Sequence, residues 1–478
     1  MLNKYEVVIG LEVHVELKTK SKIFCGCSTV FGAKPNTQCC PICMGFPGTL
    51  PVLNETVVDY AVKAGLATHC DITRIGRQDR KNYFYPDLPK AYQISQYDLP
   101  LCKEGFVDIS VQGKDKRIGI TRIHIEEDAG KLMHDLNEGT LIDYNRCGVP
   151  LVEIVSEPDM RNADEAIAYL KKLRSILLYT EISDCKLNEG SFRCDVNLSV
   201  RKKGEPEFGT RTEMKNLNSF AFIKNAIEHE TKRQIRAVES GEVIIQETRR
   251  WDAIKGESYS MRTKEDAHDY RYFPDPDLAT IVISDAKMDQ IQSELPILPD
   301  ERKRTYMEKY KLAADAAEQL TAQKQLSDYF EIGVNHVETP STLANLMMTD
   351  SFKNSYGDDE AIIFKIKPEA LSELVMCIEK GTLNPSLAKR AMGYLVEEQG
   401  AVKDILKKYD LEVLKDVERL TAEAEIILKE KPMIIKDFLG GKEKAMGAFM
   451  GQMMKRTEGK ADPEQTEKVF KVLVEKFK

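Results

Sequence analysis

The sequence predicts an α+β protein. A mostly antiparallel-sheet N-terminal domain with a metal knuckle is followed by a helical domain and a small helical tail. Three observations carry this. Through about residue 290, short stretches of alternating apolar and polar residues are separated by Gly, Pro, Asp and Asn, the texture of strands and tight turns. "LPILPDERKRTYMEKY" (Leu295–Tyr310) then brings two prolines and a charged helical pattern, and helical spacing persists beyond it. Five of the eleven cysteines fall between Cys25 and Cys43, in short pairs. The expected domains are 1–292, 293–407 and 408–478, with a loop-like interruption of the second at "MTDSFKNSYGDDE".

The bulk properties bound the function. A chain of 478 residues, 42% hydrophobic and 31% charged, has the composition of a soluble globular protein with several domains. No apolar stretch follows a basic start and no run of about eighteen apolar residues occurs, so neither a secretory signal nor a membrane span is expected. The predicted location is the cytoplasm, where thiols stay reduced; a disulfide role for the cysteines is therefore poor. A net charge of −8 argues against wholesale nucleic-acid coating while allowing a local basic surface.

Taken in order, the elements point to one site. "LEVHVEL" (Leu11–Leu17) alternates perfectly: Leu11, Val13, Val15 and Leu17 face one way, Glu12, His14 and Glu16 the other. On its own this row is equally a plain solvated face. The cysteines follow, as Cys25-x-Cys27, a turn-rich loop, and Cys40-Pro-Ile-Cys43. Two such pairs can place four thiolates around one tetrahedral Zn²⁺, a closed structural site; Cys39 rivals Cys40 as a ligand. Metal-free buried cysteines and a redox pair are the alternatives, the latter lacking a thioredoxin-like context.

Next, "RQDRKNYFYPDLPKAYQISQYDLP" (Arg77–Pro100) is dense in Arg, Lys and Tyr: cations for phosphate, rings for a base or ribose, or else an ordinary Pro-rich surface loop. "TRIHIEEDAGK" ends an apolar strand in Glu126, Glu127 and Asp128. "GVPLVEIVSEPD" sets Glu153 in an apolar run, where a carboxylate is expensive unless paired or metal-bound. "EGSFRCDVNLSV" alternates again, with Ser191, Arg193, Asp195 and Asn197 on one face. Oxygen-rich, histidine-poor clusters of this kind suit Mg²⁺ or Mn²⁺ with nucleotide phosphates. Neither a P-loop nor a Rossmann fingerprint is present, and no G-x-S-x-G elbow or placeable Cys-His pair supplies a glutaminase. From Lys429 to Lys478 there are twelve Lys/Arg and eight Asp/Glu, a local surplus of +4.

"VIGLEVHVEL", "CPICMGFPGTLPVLN", "DRKNYFYPDLPKAYQISQYD", "RIHIEEDAGK", "PLVEIVSEPD", "LNEGSFRCDVN", "RTEMKNLNSF", "QETRRWD" and "DYRYFPDPDL" together resemble the GatB/GatE family, B subunits of the glutamine-dependent aspartyl/glutamyl-tRNA amidotransferase. The resemblance runs through the first 280 residues and resumes at "GGKEKAMGAFMGQMMKRTEGKADP", which looks like the family's YqeY-like tail. It implies a cradle-like N-terminal domain that binds ATP and Mg²⁺. That domain would phosphorylate the side-chain carboxylate of Glu-tRNA(Gln) or Asp-tRNA(Asn). Ammonia from a glutaminase subunit, GatA, would then displace phosphate, with GatC tying the subunits into a heterotrimer. Some members lack the four cysteines, so zinc is not essential to the family's chemistry. By matching positions, Glu12, His14, Glu126, Glu127 and Glu153 are expected as metal and kinase-site residues. Lys81, Tyr83, Ser191 and Arg193 are expected to contact phosphate or substrate. Lys442, Lys444, Lys455, Arg456 and Lys460 are expected on the tRNA backbone. The competing functions are a non-catalytic, zinc-stabilised tRNA-binding scaffold and a zinc redox or chaperone module; the second explains only the cysteines.

Overall fold

The structure is a computed structural model; it describes residues 4–135, 139–263, 269–353, 362–442 and 444–476. The chain divides into two compact units, Met1–Leu298 and Pro299–Lys478. The first is built on a nine-stranded sheet. In spatial order its strands are Glu257–Thr263, Glu247–Asp252, Thr212–Lys215, Phe192–Lys202, Tyr5–Glu16, Pro150–Ser156, Lys114–Glu127, Cys102–Val111 and Asp71–Ile72. Every neighbouring pair is antiparallel except Thr212–Lys215 with Glu247–Asp252, which is parallel.

The central strand, Tyr5–Glu16, shows why the sheet has two unlike faces. Its period-two pattern buries Leu11, Val13 and Val15 and leaves Glu12, His14 and Glu16 on the other side, as the alternation predicts. Register carries that division across the sheet, because a slip of one residue would turn every apolar side chain outward. The apolar face joins one core with Val57 and Ala61 of helix Glu55–Ala67, Leu170 and Leu173 of helix Ala163–Tyr179, and Ile223 and Ile227 of helix Phe220–Ser240. Asn54, Asn162 and Ser219 cap these helices by accepting backbone N–H bonds in their first turns. The strand-rich texture of the sequence thus understates helix in this unit: three long helices cover one face. The unit also extends to Leu298, because Ile291 of helix Asp285–Ser293 reaches the same core and Lys287 bonds Glu55 and Asp59.

A small three-stranded sheet, ordered Phe273–Pro274, Asp79–Asn82 and Tyr92–Ser95, lies against the strand Lys114–Glu127. Gln96 fixes it there: its side-chain oxygen accepts from the Ile125 N–H at 3.1 Å.

The second unit is helical and has two separate cores. One gathers residues from Tyr306 to Leu411, the other residues from Leu420 to Val474. The expected interruption at Met348–Glu360 lies partly outside the described residues; Asp350–Lys353 forms a short helix. Among the described residues, no helix is long and apolar enough to cross a membrane.

Candidate functional site

The other face of the nine-stranded sheet, which the small sheet partly covers, is polar, and strand register assembles it. His14 pairs with Glu153 on one side and Arg193 on the other; Glu153 pairs in turn with His124. Two positions along the central strand, Glu12 pairs with Asp195. Neighbouring strands lie about 4.8 Å apart, so short side chains on such rows converge. His14 Nε2 is 3.3 Å from Glu153 and 3.7 Å from Glu126, and His124 Nε2 is 3.4 Å and 3.6 Å from the same carboxylates. His14, Glu126 and Glu153 each place a ligand atom within 4.8 Å of the others, and so do Glu12, Asp195 and Glu213. Lys215 sits over the second group, 2.6 Å from Asp195 and 3.0 Å from Glu213.

The electrostatics of the two groups differ. Burial raises the pKa of Glu12, and the Glu153, Glu213 and Asp195 carboxylates push it further up. Burial also opposes ionisation of Glu153, but the His124 and His14 imidazoles outweigh it and hold that carboxyl well below its ordinary value. His124 is correspondingly raised to about 9: burial disfavours its charge, and Glu153 and Glu126 overcome that penalty. In the first group the His14 and His124 imidazoles face two carboxylates, and His14 would ligate a cation only in its neutral form. The second leaves crowded carboxylates with one ammonium, an arrangement that favours an added cation. Carboxylate oxygens with one imidazole fit a hard divalent ion.

The four sulfurs of Cys25, Cys27, Cys40 and Cys43 also lie within 4.8 Å of one another, a donor set that fits a metal such as zinc. A hairpin bridge between Ser21 and Ser28 presents the first pair, and a turn from Cys40 to Phe46 presents the second. Cys39 stands outside the group and its thiol faces Asn145 at 3.8 Å. The Cys25 thiol, the Cys40 amide and the Lys22 ammonium all favour the thiolate of Cys43, lowering its pKa to about 4 against the cost of burial. Lys22 is fully buried, with Nζ 3.6 Å from Cys43 Sγ.

Glu127 does not join Glu126. It has the opposite parity on its strand and accepts from Lys90 at 2.5 and 2.6 Å and from the Ile94 N–H at 2.9 Å. That ion pair lines a cavity of about 100 Å³ beside Cys43. Arg193 lies on the polar face, 2.7 Å from Asp128. Ser191 is held in a turn by Asp184 and by the Lys186 N–H. Lys81 sits over the rings of Tyr83 and Tyr270. In the tail, Lys442 pairs with Asp437, Arg456 with Glu423, and Lys460 with Asp410. Lys444 and Lys455 are exposed with no ion pair among the described residues.

Sequence reasoning assigned no role to His124, Glu213 or Lys215. Each lay in a stretch already singled out, "RIHIEED" or "RTEMKNL", two residues from a partner on the same face. Period-two counting could have found His124. Glu213 and Lys215 depend on strand order, which is not local information.

Residues 7–289 match the GatB/GatE catalytic domain family, and residues 328–474 match the GatB domain family. The chain belongs to the GatB/GatE family. It is 52% identical to the aspartyl/glutamyl-tRNA(Asn/Gln) amidotransferase B subunit of Caldicellulosiruptor bescii over 99% of this chain and 100% of that protein. Proteins of the same name from Thermoanaerobacter sp. (strain X514) and Thermodesulfovibrio yellowstonii are 50% and 48% identical, covering 98% and 99% of this chain and 99% and 100% of theirs. The family's catalytic domain spans both carboxylate groups and the cysteine group.

Proposed function

We propose that this chain is the carboxylate-activating subunit of a glutamine-dependent tRNA amidotransferase, acting on Glu-tRNA(Gln), Asp-tRNA(Asn) or both. The observation that supports it is the pair of three-ligand groups side by side on one polar sheet face. A scaffold that only holds tRNA has no use for convergent, partly buried carboxylates.

A carboxylate is a poor electrophile, so amide formation needs a better leaving group. A side-chain carboxylate oxygen attacks the γ-phosphorus of ATP and ADP departs with the electrons of the broken P–O bond. Ammonia then attacks the acyl carbon, inorganic phosphate leaves, and the nitrogen loses a proton. His14, Glu126 and Glu153, and separately Glu12, Asp195 and Glu213, are the residues that would hold Mg²⁺; when bound, it neutralises charge on the phosphates. Lys215, over the second group, and Arg193, beside His14, keep their positive charge where transferring phosphoryl oxygens would gain stabilisation. His124 orients Glu126 and Glu153. The cysteine group would hold structural zinc through four thiolates, a site that suits a reducing compartment such as the cytoplasm. Ammonia comes from a glutaminase subunit, with GatA and GatC as the expected partners.

The test is co-purification with those partners and an assay for conversion of Glu-tRNA and Asp-tRNA that requires ATP and glutamine. ATP consumption that never depends on aminoacyl-tRNA would sink the proposal.

The tail is expected to capture tRNA through its phosphates. Leu411 is fully buried in the preceding core and the Val413 N–H donates to Thr382, so a clean truncation begins after Lys415. It should raise KM for aminoacyl-tRNA while leaving ATP binding and glutamine hydrolysis in place. It should also flatten the slope of log K against log salt concentration, by roughly 0.7–0.9 for each phosphate no longer neutralised. The double variant Lys444→Glu, Lys455→Glu should do so in part. Unchanged affinity and slope in both would give the tail a packing role instead.

A further inference from the structure

The small sheet carries a row of aromatic side chains that the activation chemistry leaves unused. Tyr97 follows the strand Tyr92–Ser95, Tyr83 follows Asp79–Asn82, and Tyr270 and Tyr272 precede Phe273–Pro274. Backbone and side-chain bonds from Asn82 to the Tyr270 and Arg271 carbonyls clamp these segments together. Tyr97 and Tyr272 stack at 4.4 Å with 10° between their planes. Tyr270 meets Tyr272 edge-on at 6.1 Å and Tyr83 at 5.9 Å. Lys81 Nζ lies 4.8 Å from the Tyr270 centroid. The row's outer member faces solvent: Tyr97 is 62% exposed. The same small sheet reaches the first carboxylate group, because Ser95 donates to Glu126 at 3.3 Å.

We propose that this row is a stacking platform for the single-stranded 3′ end of the aminoacyl-tRNA, with the terminal adenine on the exposed face of the Tyr97–Tyr272 pair. This rests on the transamidation reading. The amino acid is esterified to the terminal ribose, so the base beside it must lie within about a nucleotide of the carboxylate being activated. Aromatic faces accept successive unpaired bases without reading their edges. An open row, rather than an enclosed slot, fits the end of a polymer better than the base of a free nucleotide. Lys81 and the exposed Arg271 bring positive charge for the intervening phosphates.

The test measures binding of uncharged tRNA to the assembled complex, with and without its terminal adenosine, in the absence of ATP and glutamine. Trimming should weaken wild-type binding roughly 10-fold. Tyr97→Ala should weaken intact tRNA by a similar factor, and trimming should then cost under about twofold, since both changes remove the same stacking interaction. Tyr97→Phe should restore the wild-type pattern, and Tyr272→Ala should repeat the Tyr97→Ala result. Thermal melting of Tyr97→Ala should be unchanged because its ring is exposed. The same trimming penalty in wild type and Tyr97→Ala would overturn the proposal. So would weaker ATP binding with tRNA binding intact, which would assign the platform to the adenine of ATP. A complex that shows the predicted binding pattern but forms no amide would overturn the transamidation reading and leave the platform standing.

Discussion

Glu153→Gln is expected to lower ATP-dependent amide formation by about 10²–10³-fold while glutamine hydrolysis in the complex continues. The substitution keeps size and hydrogen-bonding capacity, so the sheet should survive. What it removes is the charge shared by His14 and His124 at 3.3 and 3.4 Å. A carboxamide is a poor ligand for a hard cation, and the neutral side chain no longer opposes phosphate charge. Glu126→Gln belongs to the same group and should behave alike. Glu12→Gln removes a carboxylate from the second group, and its effect should shrink as Mg²⁺ is raised, because two ligands remain. Glu127→Gln is the contrast. It strands the nearly buried Lys90 ammonium, so the loss should appear in thermal stability as well as turnover. The measurement is ATP consumption and amide formation on aminoacyl-tRNA, titrated with Mg²⁺, beside glutamine hydrolysis. Wild-type turnover in Glu12→Gln, Glu126→Gln and Glu153→Gln at limiting Mg²⁺ would mean that the cation is held elsewhere.

How much of this was legible depended on whether the information was local. The alternation of Leu11–Leu17 revealed which side chains share a face because a strand has a period of two whatever its neighbours are. The cost of Glu153 in an apolar run was legible for the same reason: one carboxylate among Val152, Ile154 and Val155 needs a partner. Glu127 was misleading because adjacency in sequence suggests adjacency in space, whereas consecutive residues on a strand point to opposite faces. Its partner, Lys90, comes from a different strand connection. The convergence of Glu12, Asp195 and Glu213 arises from three strands brought side by side in an order unlike that of the chain, which no local pattern encodes. The helices of the first unit are hard to read because the apolar spacing in "AIAYLKKLRSILLY" lies among strand-like stretches on both sides. The tyrosine row could be suspected only as a loop rich in rings; the stack of Tyr97 on Tyr272 joins two segments far apart in sequence.

Purified protein is expected to contain about one zinc per chain, and losing it should lower the melting temperature by roughly 5–10 °C. The chain around Cys25–Cys43 is mostly turn, with few apolar side chains buried beside Ile23, Phe24 and Cys43, so metal bonds rather than a core must hold it. Four thiolates and one Zn²⁺ carry a net charge of −2. Lys22, buried against Cys43, offsets part of it, so Lys22→Met should weaken zinc retention by about 10-fold in a chelator competition, an effect that a role confined to packing would not produce. Cys25→Ser and Cys43→Ser should each lower zinc content and stability. Cys39→Ser should change neither, because its thiol points to Asn145. Enzyme of the Cys variants that remains folded should keep its activation chemistry, since a closed four-thiolate site offers no open position to substrate. Stoichiometric zinc in both Cys25→Ser and Cys43→Ser would remove these sulfurs as ligands, and the knuckle would then be held by burial and the Lys22–thiolate pair alone.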